Sequence, residues 1–178
     1  MSRTLSVEPV RSRIEAEMQS AYGRIEVLDM SWPLPLDITV IEHHPVLELS
    51  LNPAATRTAA GRFRGNGSSH RFRRLGKALF KPPGIPLHVL ATYGEAYSVR
   101  CIFNERFEAL RRRAEDWSPI ELNACLNIHD NSIQGLLMRL AAELKSPGFA
   151  SAMLVDACTT TIMAVSYTHL TLPTTERV

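Results

Sequence analysis

Four histidines stand in the first half of the chain, where a metal or a proton-transfer group could be assembled: His43, His44, His70 and His88. A metal needs three or four converging donors. His43 and His44 are adjacent, so on a strand they point to opposite faces and cannot serve one ion. His70 stands alone, and no second donor lies at ligand spacing from His88. No metal is therefore expected, and His88 reads as a hydrogen-bonded structural side chain or a contact to a bound molecule. The three cysteines, Cys101, Cys125 and Cys158, are isolated and odd in number, which favours neither a disulfide framework nor a zinc site. No GxSxG, no phosphate loop and no recognised Cys–His pattern occurs, so no catalytic residue and no cofactor are expected. Cys101 alternates with Val99 and Phe103 and reads as core.

A second kind of chemistry is suggested by the basic run Arg62, Arg64, His70, Arg71, Arg73, Arg74 and Lys77, with Phe63 and Phe72 interleaved. Such a run could meet phosphate, but on strands it is more often a solvated face. Arg111, Arg112 and Arg113 lie on an expected linker and read the same way. The net charge of +2 is too small to argue for nucleic acid by itself. No apolar run approaches a membrane span, and Met1 to Ser20 carries charges throughout with no signal-peptide core. With no disulfide framework, this fits a cytoplasmic protein with no membrane partner.

The elements that must position these residues follow from periodicity. The 178 residues, 45% of them apolar, suffice for one domain plus a helical extension. Residues 11–20 suggest a short helix within a poorly ordered arm spanning 1–22. Ile38 to Ile41 and Val46 to Leu51 read as a hairpin turning at Pro45. Phe72 to His88 reads as a strand, a Pro-Pro-Gly corner and a second strand. Pro82 and Pro83 cannot donate ladder hydrogen bonds, and Gly84 supplies the φ freedom of the corner. Tyr97 to Phe103 alternates. In all, roughly seven short strands between residues 23 and 104 argue for a sandwich or barrel. Beyond them the period becomes helical. Ser118-Pro119-Ile120-Glu121 has the shape of a capping box. Ile133, Leu136, Leu137, Leu140, Ala141 and Leu144 fall on one helical face, capped by Asp130 or Asn131 and ended by Pro147-Gly148. A third helix begins near Ser151.

The spacing of Gly76, Pro82, Gly84 and His88 is similar to the second conserved motif of cupins, with one extra residue before the histidine. The words FRRLGKALFKPPGIPLH resemble the N-terminal sensor domain of AraC-type transcription regulators. NIHDNSIQGLLMRLAAELKSPGFASAMLVDACTTTIMAV resembles the helical segment that follows it in that family. The resemblance implies a mainly β protein with α: a cupin-like jelly-roll barrel over 23–117, followed by two to three C-terminal helices over 118–164. It implies a small-molecule effector inside the barrel, with His88, Phe80, Val99 and Cys101 as candidate lining. It also implies a homodimer through the helices, with Leu136, Leu137, Leu140 and Leu144 as the contact, and DNA binding through a further C-terminal domain. The alternatives are a cupin-fold metal-dependent enzyme, which would need two more inward histidines near His88, and an interaction module with a filled barrel.

The words VSYTHLTLPTT, Val165 to Thr175, resemble the translation of a sequencing adapter. Residues 165–178 are therefore expected to be foreign to the fold and loosely placed, and the third helix to be truncated at 164.

Overall fold

A computed structural model of the chain describes residues 10–52, 54, 58–64, 71–92, 94–105 and 113–171, with the side chains of 114 and 167–171 left aside. The expectations for His70, Arg111 and Arg112 fall outside these residues. Nine strands come first: β1 (Arg11–Ser20), β2 (Gly23–Ser31), β3 (Leu36–Val40), β4 (Val46–Ser50), β5 (Ala59–Phe63), β6 (Arg73–Arg74), β7 (Ala78–Lys81), β8 (Leu87–Ala91) and β9 (Glu95–Phe103). Helices α1 (Pro119–Cys125), α2 (Asn131–Lys145) and α3 (Ser151–Thr171) follow. None of these helices is long and apolar enough to cross a membrane.

The strands form two antiparallel sheets, in the orders β1-β2-β9-β4-β7 and β3-β8-β5-β6. Their pairing is nested: β2 with β9, β3 with β8, β4 with β7, and β5 with β6. A long ribbon rolled so that its strands alternate between two sheets is a jelly roll. The expected architecture, a mainly β jelly-roll barrel with C-terminal helices, is the one observed. Among the described residues between 23 and 104 there are eight strands rather than about seven.

Three local expectations are corrected. Residues 11–20 form an edge strand, not a short helix in a loose arm. Ile14, Ala16 and Met18 recur every second residue, and β1 pairs with β2 along its length, with a bulge between Ile14 and Ala16. Ala16 and Met18 pack on the core, and the Ala21 N–H donates to Asp156 Oδ1 of α3 at 2.9 Å. The sheet thus begins at Arg11, not at residue 23; residues 1–9 of the expected arm are outside the description. Secondly, β3 and β4 are no hairpin: they lie in different sheets, so Glu42 to Pro45 carries the chain across the barrel. Thirdly, α3 runs without a break through the 164/165 boundary, with Val165 packed on the core and Ser166 buried. Extending a formed helix gains one hydrogen bond per added residue, and no proline intervenes before Pro173.

The Pro-Pro-Gly corner is as expected. It joins β7 to β8, which belong to opposite sheets. Gly84 has φ +72°, and its N–H donates to the Glu42 carbonyl at 2.8 Å. Gly76 has a different reason. A Cβ there would lie 1.8 Å from Asn127 Oδ1 and 2.7 Å from Asn127 Cα. The Gly76 N–H donates to the Leu126 carbonyl, and the Ile128 N–H donates to the Ala78 carbonyl, each at 2.8 Å. The chain leaving α1 therefore covers the outer edge of β7, which would otherwise be an open sheet edge.

The helix signals hold. The Glu121 N–H donates to Ser118 Oγ at 3.2 Å while the Ser118 N–H donates to Glu121 Oε2 at 2.8 Å, a complete capping box. Asp130 caps α2 through the Ile133 N–H at 2.8 Å.

Candidate functional site

Alternation along each strand sends half of its side chains between the two sheets and half away from them. The space between the sheets holds a cavity of about 150 Å³. One wall comes from the four-stranded sheet and is apolar: Leu36, Ile38, Leu87, Val89 and Ala91. The facing wall carries Met30, Ser50, Ala96 and Ser98, with Trp32 at one end and Glu48 and Lys81 at the other.

The charged end is the unusual part. Glu26, Arg100 and Glu48 stand opposite one another across β2, β9 and β4. Arg100 reaches Glu26 at 3.2 Å, Glu42 at 2.6 Å and Glu48 at 3.7 Å. Lys81 reaches Glu48 at 2.6 Å and Glu42 at 3.6 Å, and Arg24 lies 3.4 Å from Glu26. Glu26 and Glu48 are buried. Burial alone would raise the Glu48 carboxyl, but the Lys81 ammonium and the Arg100 guanidinium, helped by the Lys81 hydrogen bond, hold it below the usual carboxylate range. Glu48 is therefore a carboxylate at neutral pH. At the other end, the buried Trp32 Nε1–H has no hydrogen-bond partner among the described residues.

Of the candidate lining residues, none reaches this cavity. Phe80, Val99 and Cys101 alternate with Lys81, Ser98 and Arg100, so they point to the opposite side of the five-stranded sheet, against the helices. Phe80 stacks at 5.9 Å on Trp117. The Cys101 thiol is pushed up to about 12, chiefly by burial and further by the neighbouring Cys158. It is an inert core side chain, as its alternation indicated. His88 faces outward too, because its neighbours Leu87 and Val89 face in. It is hydrogen-bonded on both nitrogens: Arg64 Nη2 donates to Nδ1 at 2.9 Å, and Nε2–H donates to Asp37 Oδ1 at 2.6 Å. Phe72 meets its ring edge-on at 4.9 Å, and Arg62 covers Phe72 at 4.6 Å. Of the two readings for His88, the hydrogen-bonded structural one describes this geometry.

The corner residues do different work. Gly76 contributes to the cavity wall, whereas Pro82 and Gly84 shape the turn. His43 and His44 are exposed on the β3–β4 crossing. Among the described residues no three His, Cys, Asp or Glu side chains converge as metal ligands. Arg64, Arg71, Arg73, Arg74 and Lys77 are exposed, in keeping with a solvated face.

The helical leucine stripe is corrected. Leu137 and Leu140 are 0% exposed and Leu144 is 6% exposed, all within the core of the single chain, with Leu136 half-buried against it. Leu137, Leu140 and Leu144 dock α2 on the sheet and on α3, so their buried surface is already used within the single chain.

Sequence reasoning missed Glu26, Glu48, Lys81 and Arg100. The available signal was a charge in each of the strand words RIEVL, VLELS, ALFK and SVRCIF, at an inward position of a barrel too small to solvate it.

No protein-family model and no curated protein matches the chain. Among solved structures, it is similar to KdgF from Halomonas sp., at 14% identity over 63% of this chain and 90% of that one, with a TM-score of 0.36. A cupin superfamily protein from Desulfitobacterium hafniense is similar at 17% identity, over 55% and 81%, with a TM-score of 0.34. The chain covers 30% of a Bacillus subtilis oxalate decarboxylase mutant, at 12% identity over 55% of its own length, with a TM-score of 0.35. The assignment of the jelly roll rests on the nested strand pairing.

Proposed function

We propose that this chain is the effector-sensing part of a cytoplasmic transcription regulator of the AraC type. The observation that carries the reading is a sheet with two working faces. Strands β4, β7 and β9 present Glu48, Lys81 and Ser98 to the cavity and Leu47, Phe80 and Val99 to the helical side. A molecule that fits one arrangement of those strands better than another would shift the docking of α2 through residues that are its immediate chain neighbours. Differential affinity for two arrangements is what such a relay requires. In this reading DNA contact belongs to a domain outside the chain. A second copy would meet the uncharged outer face of α3, where Met153, Ala157, Thr160 and Ala164 are exposed.

Hydrogen exchange with and without a bound cavity ligand tests the relay. Slower or faster exchange in α2 and α3 as well as in the barrel is the expected result. A change confined to the strands would leave a binding barrel with no output and would overturn the regulatory reading.

A further inference from the structure

The cavity is small, apolar along one wall, and closed at one end by charges that already match. Glu26, Glu42 and Glu48 are met by Arg24, Lys81 and Arg100, each through at least one contact of 3.6 Å or less except the longer Arg100–Glu48 approach. We propose that it takes an uncharged, single-ring molecule bearing one O–H or N–H donor, with that donor on Glu48. This rests on the reading of the cavity as a ligand site and adds the class of ligand.

Three observations lead there. The volume of about 150 Å³ is that of a site for one six-membered ring. The charge balance excludes ions: a carboxylate would have to draw Lys81 away from Glu48, and an ammonium would have to displace Lys81 from it. Either leaves a buried charge without its counterpart, the most unfavourable arrangement an interior can hold. The donor follows from the acceptor that remains. Both ion pairs of Glu48 use Oε2, which leaves Oε1 as an ionised acceptor at the cavity's end.

Isothermal titration calorimetry of the full chain at pH 7 with phenol, toluene, benzoate and benzylammonium tests this. Phenol, neutral at that pH, should bind about tenfold tighter than toluene, the gain from one hydrogen bond to a charged acceptor. It should also bind at least about tenfold tighter than either ion, since both must break the Lys81–Glu48 pair. Val89→Phe, or Ala96→Leu from the facing wall, should abolish phenol binding while circular dichroism shows a folded chain. Toluene equal to phenol, or either ion as tight as phenol, would overturn the ligand class and leave the cavity as a binding site. No binding by any of the four at millimolar concentration would overturn the cavity reading itself. Phenol binding that survives in a folded blocking variant would place the molecule elsewhere and overturn the proposal. If neither variant folds, the ranking of the four probes on the unaltered chain decides.

Discussion

Replacing Lys81 by methionine should change both the stability of the protein and the sign of part of its pH dependence. In the native chain Glu48 has its carboxyl held below the ordinary range. Such a group contributes stability that is present above the unfolded-state value and is lost as pH falls through the folded one. Lys81→Met removes the 2.6 Å partner and leaves Arg100 at 3.7 Å as the remaining counter-charge. Breaking one side of a buried pair costs about 3–5 kcal/mol. Because Arg100 remains, the loss at pH 7 should fall near the lower end, about 3 kcal/mol, or a melting point lower by about 6–12 °C in a protein of this size. Burial, no longer outweighed, should then push Glu48 above the ordinary range. A raised carboxyl destabilises most at high pH, so the deficit should shrink between pH 7 and pH 5 as Glu48 takes up a proton. Adding Glu48→Leu should recover much of the loss, since an apolar pair of similar size is often neutral. Urea unfolding at both pH values on the four chains of the cycle measures this. A deficit under about 1 kcal/mol that does not vary with pH would mean that the pair behaves as an exposed one and would refute the argument.

Leu140→Asp should unfold the chain rather than yield a folded monomer, because Leu140 is wholly buried within it; circular dichroism and sedimentation together read the outcome. Gly76→Ala should destabilise by about 1–3 kcal/mol in urea unfolding, since its Cβ collides with Asn127 and forces the segment leaving α1, which covers β7, outward. Cys101 should resist iodoacetamide in the folded protein at pH 8 and react once urea is added, since its thiol titrates near 12 and is buried.

The fold was legible where a residue type has one use. The proline pair and Gly84 could only be a corner, Ser118 and Glu121 a helix start, and Asp130 a cap. What stayed hidden was which face of a strand meets which neighbour. β9 is buried on both sides, so the alternation of Tyr97, Val99, Cys101 and Phe103 marks a face without saying whether it looks at the cavity or at the helices. Apolar residues suit a dry helix interface at least as well as a cavity wall, and here they face the helices. Ser98 and Glu48, which look like the solvated side, face the cavity instead, and Arg100 lies on the same side of the sheet. The same ambiguity hid the fate of the α2 leucines. A stripe at helical spacing specifies burial but not the partner, and the sheet of the same chain supplies it. For β1 the apolar signal was spread thinly over Ile14, Ala16 and Met18 among charges, as suits an edge strand with one face in water.

This distribution also bears on how binding could be felt outside the barrel. Cores are close-packed, so a small displacement of a strand is passed to its neighbours rather than absorbed. Glu48 sits between Leu47 and Leu49, and Arg100 between Val99 and Cys101; all four of those apolar side chains are 0–1% exposed on the helical side. A ligand donor on Glu48 Oε1 would bear on the same carboxylate that Lys81 holds through Oε2, and Lys81 directly follows Phe80, which stacks on Trp117 just ahead of α1. The shortest route from cavity to helices is therefore one residue long and runs through β7. On this argument Phe80→Leu, which keeps the burial but loses the stacking, should weaken any ligand-induced change in α1 and α2 while leaving the affinity for the ligand nearly unchanged.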